Sequence, residues 1–272
     1  SSLLNCNIFK RLTYYFILHS IFMRLLMNIT TIAYLSFLTI FLTSVIGSGM
    51  VFFFNKKKEF NSQIINGFTS GVMIGAAILG LIIPSLNNSF NIKFLPVIIG
   101  IILGSIFIYL LDLFLRKIEI QNVSCIKLFS ALTLHNIPEG LAVGLSFALA
   151  LQTKSDAYLL SALSLTLGIS LQNIPENLSL SLTILETTSS KFKVFILGVI
   201  SCMVEPLFAI FSFYLTLNIN SLMPILLSFA SGAMIYITLD EILISNYENK
   251  SNRLLVWSFM IGFCIMIILE SI

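Results

Sequence analysis

Residues 127–151 read KLFSALTLHNIPEGLAVGLSFALAL, and residues 157–185 read AYLLSALSLTLGISLQNIPENLSLSLTIL. Each is long and apolar enough to cross a bilayer as an α-helix, which takes roughly 20 residues. Each also carries the same polar interruption near its middle: His135-Asn136-Ile137-Pro138-Glu139 in one, Gln172-Asn173-Ile174-Pro175-Glu176 in the other. A carboxylate, an amide and a helix-breaking proline stand where hydrocarbon tolerates none of them. The simplest account of the pair is a dehydrated cation site.

The rest of the chain agrees with a membrane setting. Of 272 residues 57% are hydrophobic and only 10% charged, with a mean hydropathy of +1.01, whereas a soluble domain carries roughly a quarter charged residues. The net charge of +3 is small and its positives fall in short clusters between apolar runs, which argues for membrane topology and against nucleic-acid binding. Cys6, Cys125, Cys202 and Cys264 form no CxxC pair, so neither a disulfide framework nor a thiolate zinc site is expected.

Eight spanning runs are predicted, at 29–54, 64–86, 94–115, 127–151, 157–185, 192–217, 221–245 and 254–271. Lysine and arginine collect on the inner side of membranes. If the first run enters from outside, the inner links hold Lys56, Lys57, Lys58, Arg116, Lys117, Lys127, Lys191, Lys193, Lys250 and Arg253, ten of the fifteen positives. Both termini are therefore expected outside. Residues 1–28 are apolar but interrupted by Lys10, Arg11, His19 and Arg24, and read as a leader or an interfacial helix. Residues 29–272 read as one eight-helix transmembrane domain, with no polar block long enough for a soluble module.

The sequence also repeats. Phe68-Thr69-Ser70-Gly71-Val72-Met73-Ile74 in the second run matches Phe229-Ala230-Ser231-Gly232-Ala233-Met234-Ile235 in the seventh. Those runs point in opposite directions, as do the two that carry the NIPE motifs. Antiparallel matches placed symmetrically about residue 154 are what an inverted repeat leaves behind. The expected fold is thus an all-α polytopic membrane protein, eight transmembrane helices in a 3+2+3 inverted repeat. Glycines at 67, 71 and 75, at 100 and 104, and at 140 and 144 give small faces that let helices approach closely.

An acidic side chain at mid-membrane costs about 2.5 to 3.5 kcal/mol on insertion scales. Glu139, Glu176 and Glu205 all fall near the middle of their runs, and no lysine or arginine does. Three acids without an internal cation imply that the cation comes from outside. Helical spacing puts His135 and Glu139 on one face and Gln172 and Glu176 on another, with Asn136 and Asn173 about 100° round. Each proline also deprives the carbonyl four residues back, Leu134 or Leu171, of its helical N–H. One imidazole with carboxylates and amides suits a first-row divalent ion better than an alkali ion.

Further along, Asp240 and Glu241 stand adjacent toward the inner end of the seventh run and Asp112 near that of the third. They are either a relay for ions or interfacial charges solvated by headgroups. Met73 offers a thioether beside the repeat, although methionine in an apolar helix is ordinarily packing.

On these motifs the chain resembles the ZIP (Zrt/Irt-like) family of divalent metal transporters. HNIPEGLAVG is similar to the family's HNxPEG signature, and QNIPEN to its second, H/Q-x-x-P-E motif. Gln172, GVMIGAAILGLIIPS, SCMVEP and GAMIYITLDE look most like the GufA-like branch. The resemblance implies a binuclear centre: His135, Glu139, Gln172 and Glu176 at a main site, and Asn136, Asn173, Glu139, Glu176 and Glu205 at a second. Asn173 stands where some relatives carry an acid, and Asn177 where glycine often follows the glutamate; residues 116–126 contain no histidine.

The resemblance implies transport of Zn2+, or of Fe2+, Mn2+ or Cd2+, into the cytoplasm by alternating access, with no resident cofactor and no enzymatic activity. The expected partners are the metal ions and the bilayer of a plasma or bacterial inner membrane, with a homodimer left open. One alternative is an intramembrane metalloenzyme, but HExxH is absent, Asn136 and Glu139 falling where its glutamate and second histidine belong. The other alternative is a metal sensor, which would need a signalling module.

Overall fold

The computed structural model describes residues 28–54, 62–89, 94–118, 124–186, 188, 190–216, 220–248 and 253–271. The leader expected over residues 1–28 falls almost wholly outside them, as do Lys56, Lys57, Lys58, Lys93 and Lys250. Eight helices are long and apolar enough to cross a membrane: α1 (Ile29–Phe52), α2 (Gln63–Asn87), α3 (Phe94–Phe114), α4 (Thr133–Thr153), α5 (Asp156–Leu185), α6 (Lys191–Thr216), α7 (Met223–Leu243) and α8 (Arg253–Glu270). Their bounds lie close to the eight predicted runs, and no strand occurs among the described residues.

Pro138 and Pro175 lie inside α4 and α5, whose helices run through them without a break, as the unbroken runs required. A membrane helix absorbs a missing N–H where neighbouring helices supply polar groups. The interruption comes instead in α6, at Met203, where Lys191–Cys202 gives way to Val204–Thr216. Pro206 follows at once and cannot donate to the carbonyl of Cys202.

The helices sort into two bundles. In one, α4 packs on α5 and α6, and α1 on α5; in the other, α2 packs on α8 and α3 on α7. They meet where α4 touches α7 and where α5 touches α2 and α8. Exchanging α1 with α6, α2 with α7, α3 with α8 and α4 with α5 returns the same pairings, which is the inverted repeat in three dimensions. The glycines carry the symmetry to single residues. Gly71 of α2 abuts the carbonyl of Phe259 on α8, and its repeat mate Gly232 abuts that of Ile101 on α3. Conversely, Gly262 of α8 abuts the carbonyl of Phe68, and Gly104 of α3 that of Phe229, again repeat mates.

Between α4 and α5 lie only Lys154 and Ser155, with Lys154 in the left-handed region at φ 50°. That conformation costs roughly 1–2 kcal/mol for a residue with a Cβ, and it makes the two motif helices adjacent and antiparallel. Towards the end of the bundle where α4 and α5 join, Phe37, Phe147 and Phe213 from α1, α4 and α6 are buried edge-to-face, Phe37 lying 6.1 and 6.0 Å from the other two ring centroids. Towards the opposite end, Val51, Leu178, Leu182, Ile184 and Val194 close α1, α5 and α6 together. The outward faces of α3 and α8 expose Ile102, Leu110, Phe114, Trp257 and Ile261, the surface a lipid environment requires.

Gly71→Leu forces a side chain into the backbone of α8. It is expected to destabilise the detergent-solubilised protein by about 1–3 kcal/mol or to prevent its folding. Gly49→Ala meets only Phe195, 3.6 Å away, and should leave the melting temperature unchanged. Thermal unfolding of the two variants checks the contrast.

Candidate metal centre

The tight α4–α5 hairpin brings the two motifs face to face, and the facing side chains are buried. Glu139 is 1% exposed, Glu176 7% and Glu205 0%, and no lysine or arginine is buried among the described residues. Coulombic interaction links Glu139 with Glu176 and Glu205, and Glu176 with His135. What holds the carboxylates is a set of neutral donors.

Those donors form two clusters. In the first, Gln172 Nε2 donates to Glu139 Oε1 at 2.6 Å, joining α5 to α4. In the second, Asn173 Nδ2 donates to Glu205 Oε2 at 2.9 Å and to Ser44 Oγ at 2.7 Å, while Ser44 Oγ donates to Glu205 Oε1 at 2.7 Å. Each amide turns its nitrogen to the carboxylate, since the reverse would set two acceptors against each other. Their carbonyl oxygens are then left over. Gln172 Oε1 and Asn173 Oδ1 are buried with no hydrogen-bond partner among the described residues, and so is Glu176 Oε2. Unsatisfied buried acceptors cost about 1–3 kcal/mol each, and all three are oxygens of a kind that ligates divalent ions.

The remaining candidates divide. His135 Nε2 lies 3.6 Å from Glu241 Oε2, so α7 reaches the first cluster from the opposite bundle. Both side chains are part-exposed, 17% and 29%. Asn136 turns its Nδ2 to the carbonyl of Ser201 at 3.0 Å, which points that group at the backbone of α6 rather than at Glu205. Met73 is buried and accepts from Thr238 Oγ1 at 3.6 Å, between α2 and α7. Asp240 and Asp112 are half-buried, on α7 and α3. Among the described residues no three His, Cys, Asp or Glu side chains stand at ligand spacing. The gathered donors are carboxylates interleaved with amides.

Ser44 is the residue that sequence reasoning missed. It also donates to the carbonyl of Ile40 at 2.9 Å, the ordinary habit of serine in an apolar helix, and nothing in the sequence separates it from Ser36 or Ser48. Close packing brings α6 within reach: Gly140 abuts the backbone of Glu205, and Gly144 that of Ala209. On the mirror-related side the glycine sits on the other partner. Gly47 of α1 accommodates the carbonyl of Asn173 and the side chain of Asn177, which frees position 177 to carry an amide.

Comparison with known proteins places this arrangement. Residues 115–270 match the family model described as ZIP zinc transporter. The chain is 38% identical over 143 residues to zinc transporter ZIP11 of Homo sapiens, a match that spans 53% of this chain and 42% of that protein. It is 41% identical over 143 residues to the Bos taurus protein of the same name, with the same coverage. To zinc transporter GufA of Myxococcus xanthus it is 37% identical over 141 residues, 52% of each. The chain thus spans about half the length of these relatives or less. They are named as transporters, not enzymes, and the metalloenzyme alternative falls away.

Ser44→Ala removes a donor to Glu205 and an acceptor for Asn173 without altering either motif. It is expected to lower the stability of the metal-free protein by about 1–3 kcal/mol, read as a lower unfolding temperature in chelator. An unchanged value would mean that Ser44 does not hold the second cluster together.

Proposed function

Because the chain belongs to the ZIP zinc transporter family, we propose that it moves divalent transition-metal cations, Zn2+ foremost, into the cytoplasm by alternating access. The ion is substrate, held in passing by two adjoining sites. His135, Glu139, Gln172 and Glu176 form the main one; Asn173 and Glu205, with Asn136 and the shared Glu139 and Glu176, form the second. The observation that carries this reading is the row of buried oxygens without a partner among the described residues, Gln172 Oε1, Asn173 Oδ1 and Glu176 Oε2, beside three carboxylates with no buried lysine or arginine among the described residues to neutralise them.

The chemistry follows from charge and orientation. A dication offsets the carboxylate charge at a depth where ions are otherwise excluded. The amide nitrogens of Gln172 and Asn173 hold Glu139 and Glu205 while the amide oxygens remain for the ion, so the carboxylates stay aimed when the ion leaves. A donor set of oxygens with one imidazole admits Fe2+, Mn2+ and Cd2+ as well as Zn2+.

The two bundles supply the motion. All the ligands above sit on α4, α5 and α6; Glu241 alone comes from the other bundle, against His135. Sliding or rocking of one bundle past the other would carry the ions while their ligands stay together. Phe37, Phe147 and Phe213 pack on one side of the centre, and the part-exposed His135 and Glu241 stand on the other. In this reading both termini lie outside, in a plasma or inner membrane, as the distribution of lysine and arginine favours.

Glu139→Ala and Glu176→Ala are each expected to abolish Zn2+ uptake into proteoliposomes while the protein still elutes as a single species in detergent. Undiminished uptake in both variants would overturn the proposed centre. Competition of Fe2+, Mn2+ and Cd2+ against Zn2+ in the same assay ranks the substrates.

A further inference from the structure

Next to the second cluster, on α1, α5 and α6, lies a group of buried polar side chains that the transport reading does not use. Cys202 Sγ donates to Asn177 Oδ1 at 3.3 Å and lies 4.0 Å from Ser48 Oγ. These side chains, from α6, α5 and α1, are buried, as is Ser181. Gly198, one turn from Cys202, creates the room: a Cβ there would stand 2.5 Å from Ser48 Oγ and 3.6 Å from Ser181 Oγ.

Ser181 is the informative member. Serines in these helices ordinarily return their hydroxyl to the carbonyl four residues back, as Ser44, Ser146 and Ser228 do. Ser181 Oγ, like those of Ser70 and Ser170, makes no hydrogen bond with any described residue although the residue is 0% exposed, and of the three it is the one whose hydroxyl stands beside Gly198 and Ser48. A wholly buried hydroxyl without a partner among the described residues, grouped with a thiol, an amide oxygen and a second hydroxyl, calls for an occupant.

We propose that Cys202 Sγ, Asn177 Oδ1, Ser48 Oγ and Ser181 Oγ form a third cation subsite, one that takes a thiophilic divalent ion of the Zn2+ and Cd2+ class. A tetrahedral ion with one sulfur at about 2.3 Å and oxygens at about 2.1 Å sets sulfur and oxygen about 3.6 Å apart. The observed 3.3 and 4.0 Å bracket that value. Binding replaces the Sγ–H proton by the ion, and the proton leaves to water.

The subsite adjoins the second cluster, because Asn177 Nδ2 donates to the carbonyl of Asn173 at 2.9 Å. It leads no further. Val51, Leu178, Leu182, Ile184 and Val194 close the same three helices at the end away from the α4–α5 link, whereas His135 and Glu241 lie on a separate, part-exposed side. An ion held by Cys202 must return the way it came, so the subsite retains soft ions that the carboxylate centre passes on.

The test reads binding, not uptake, in the purified full chain carrying Cys6→Ser, Cys125→Ser and Cys264→Ser, which leaves Cys202 as its one thiol. Titration with Cd2+ is expected to raise an ultraviolet sulfur-to-cadmium charge-transfer band. Cys202→Ser should abolish the band, and Ser181→Cys should raise it about twofold by adding a second thiolate. Glu139→Ala should keep it, which separates this subsite from the transport centre. Absence of the band while Cd2+ binds the protein by equilibrium dialysis would overturn the proposal, as would a Ser181→Cys band no larger than the parent's.

Discussion

Three carboxylates buried in the middle of an apolar bundle, with no lysine or arginine buried beside them among the described residues, set the terms for the rest of this molecule. Glu139, Glu176 and Glu205 cannot be solvated by lipid, and isolated ions at that depth are among the costliest groups a protein can bury. The polar positions around them answer to this. Gln172, Asn173 and Ser44 donate to the carboxylates, and Gly140 lets the backbone of Glu205 come against α4. A bulkier residue at 140 would push α6 outward and take Glu205 from its donors. Packing and electrostatics are here one requirement.

The inverted repeat gives the molecule its shape but not equal halves. The pairing of α2 with α8 is returned by that of α7 with α3 down to the glycine and carbonyl that touch. At the centre the halves part company. His135 is answered by Gln172 and Gly140 by Asn177, so one side has an imidazole and a close glycine contact while the other has two amides. Moving the spacing glycine to Gly47 of α1 keeps the helices equally near and lets α5 carry more polar groups. Scaffold symmetry and centre asymmetry thus coexist because the glycine is needed at the contact and not on a particular helix.

Much of this was legible in the chain. The eight spans follow from run length and the pairing of α4 with α5 from the motifs, and the seven-residue repeat foretold the symmetric glycine contacts. Pro138 and Pro175 stay within continuous helices, as the unbroken runs required, whereas the break of α6 at Met203 was not foreseen, because what neighbouring helices offer a freed carbonyl is not recorded in a single run. Ser44 was invisible for a related reason, since serine looks the same in sequence whether or not its lone pairs face a carboxylate. Of the acids near the inner ends, Glu241 meets His135 and Asp240, its immediate neighbour, does not. A difference of one helical position, about 100°, decides that, and only the packing of α7 against α4 fixes its direction.

The two-residue link at Lys154 and Ser155 makes a tether. Two residues leave three Cα–Cα steps between the ends of α4 and α5, about 10–11 Å when fully extended, so the joined ends of α4 and α5 cannot part by more than a helix diameter whatever the bundles do. The centre built on them therefore travels as one piece with both helices, and any widening is confined to the end away from the link. The link residue is a lysine held in a backbone conformation that glycine would adopt without strain.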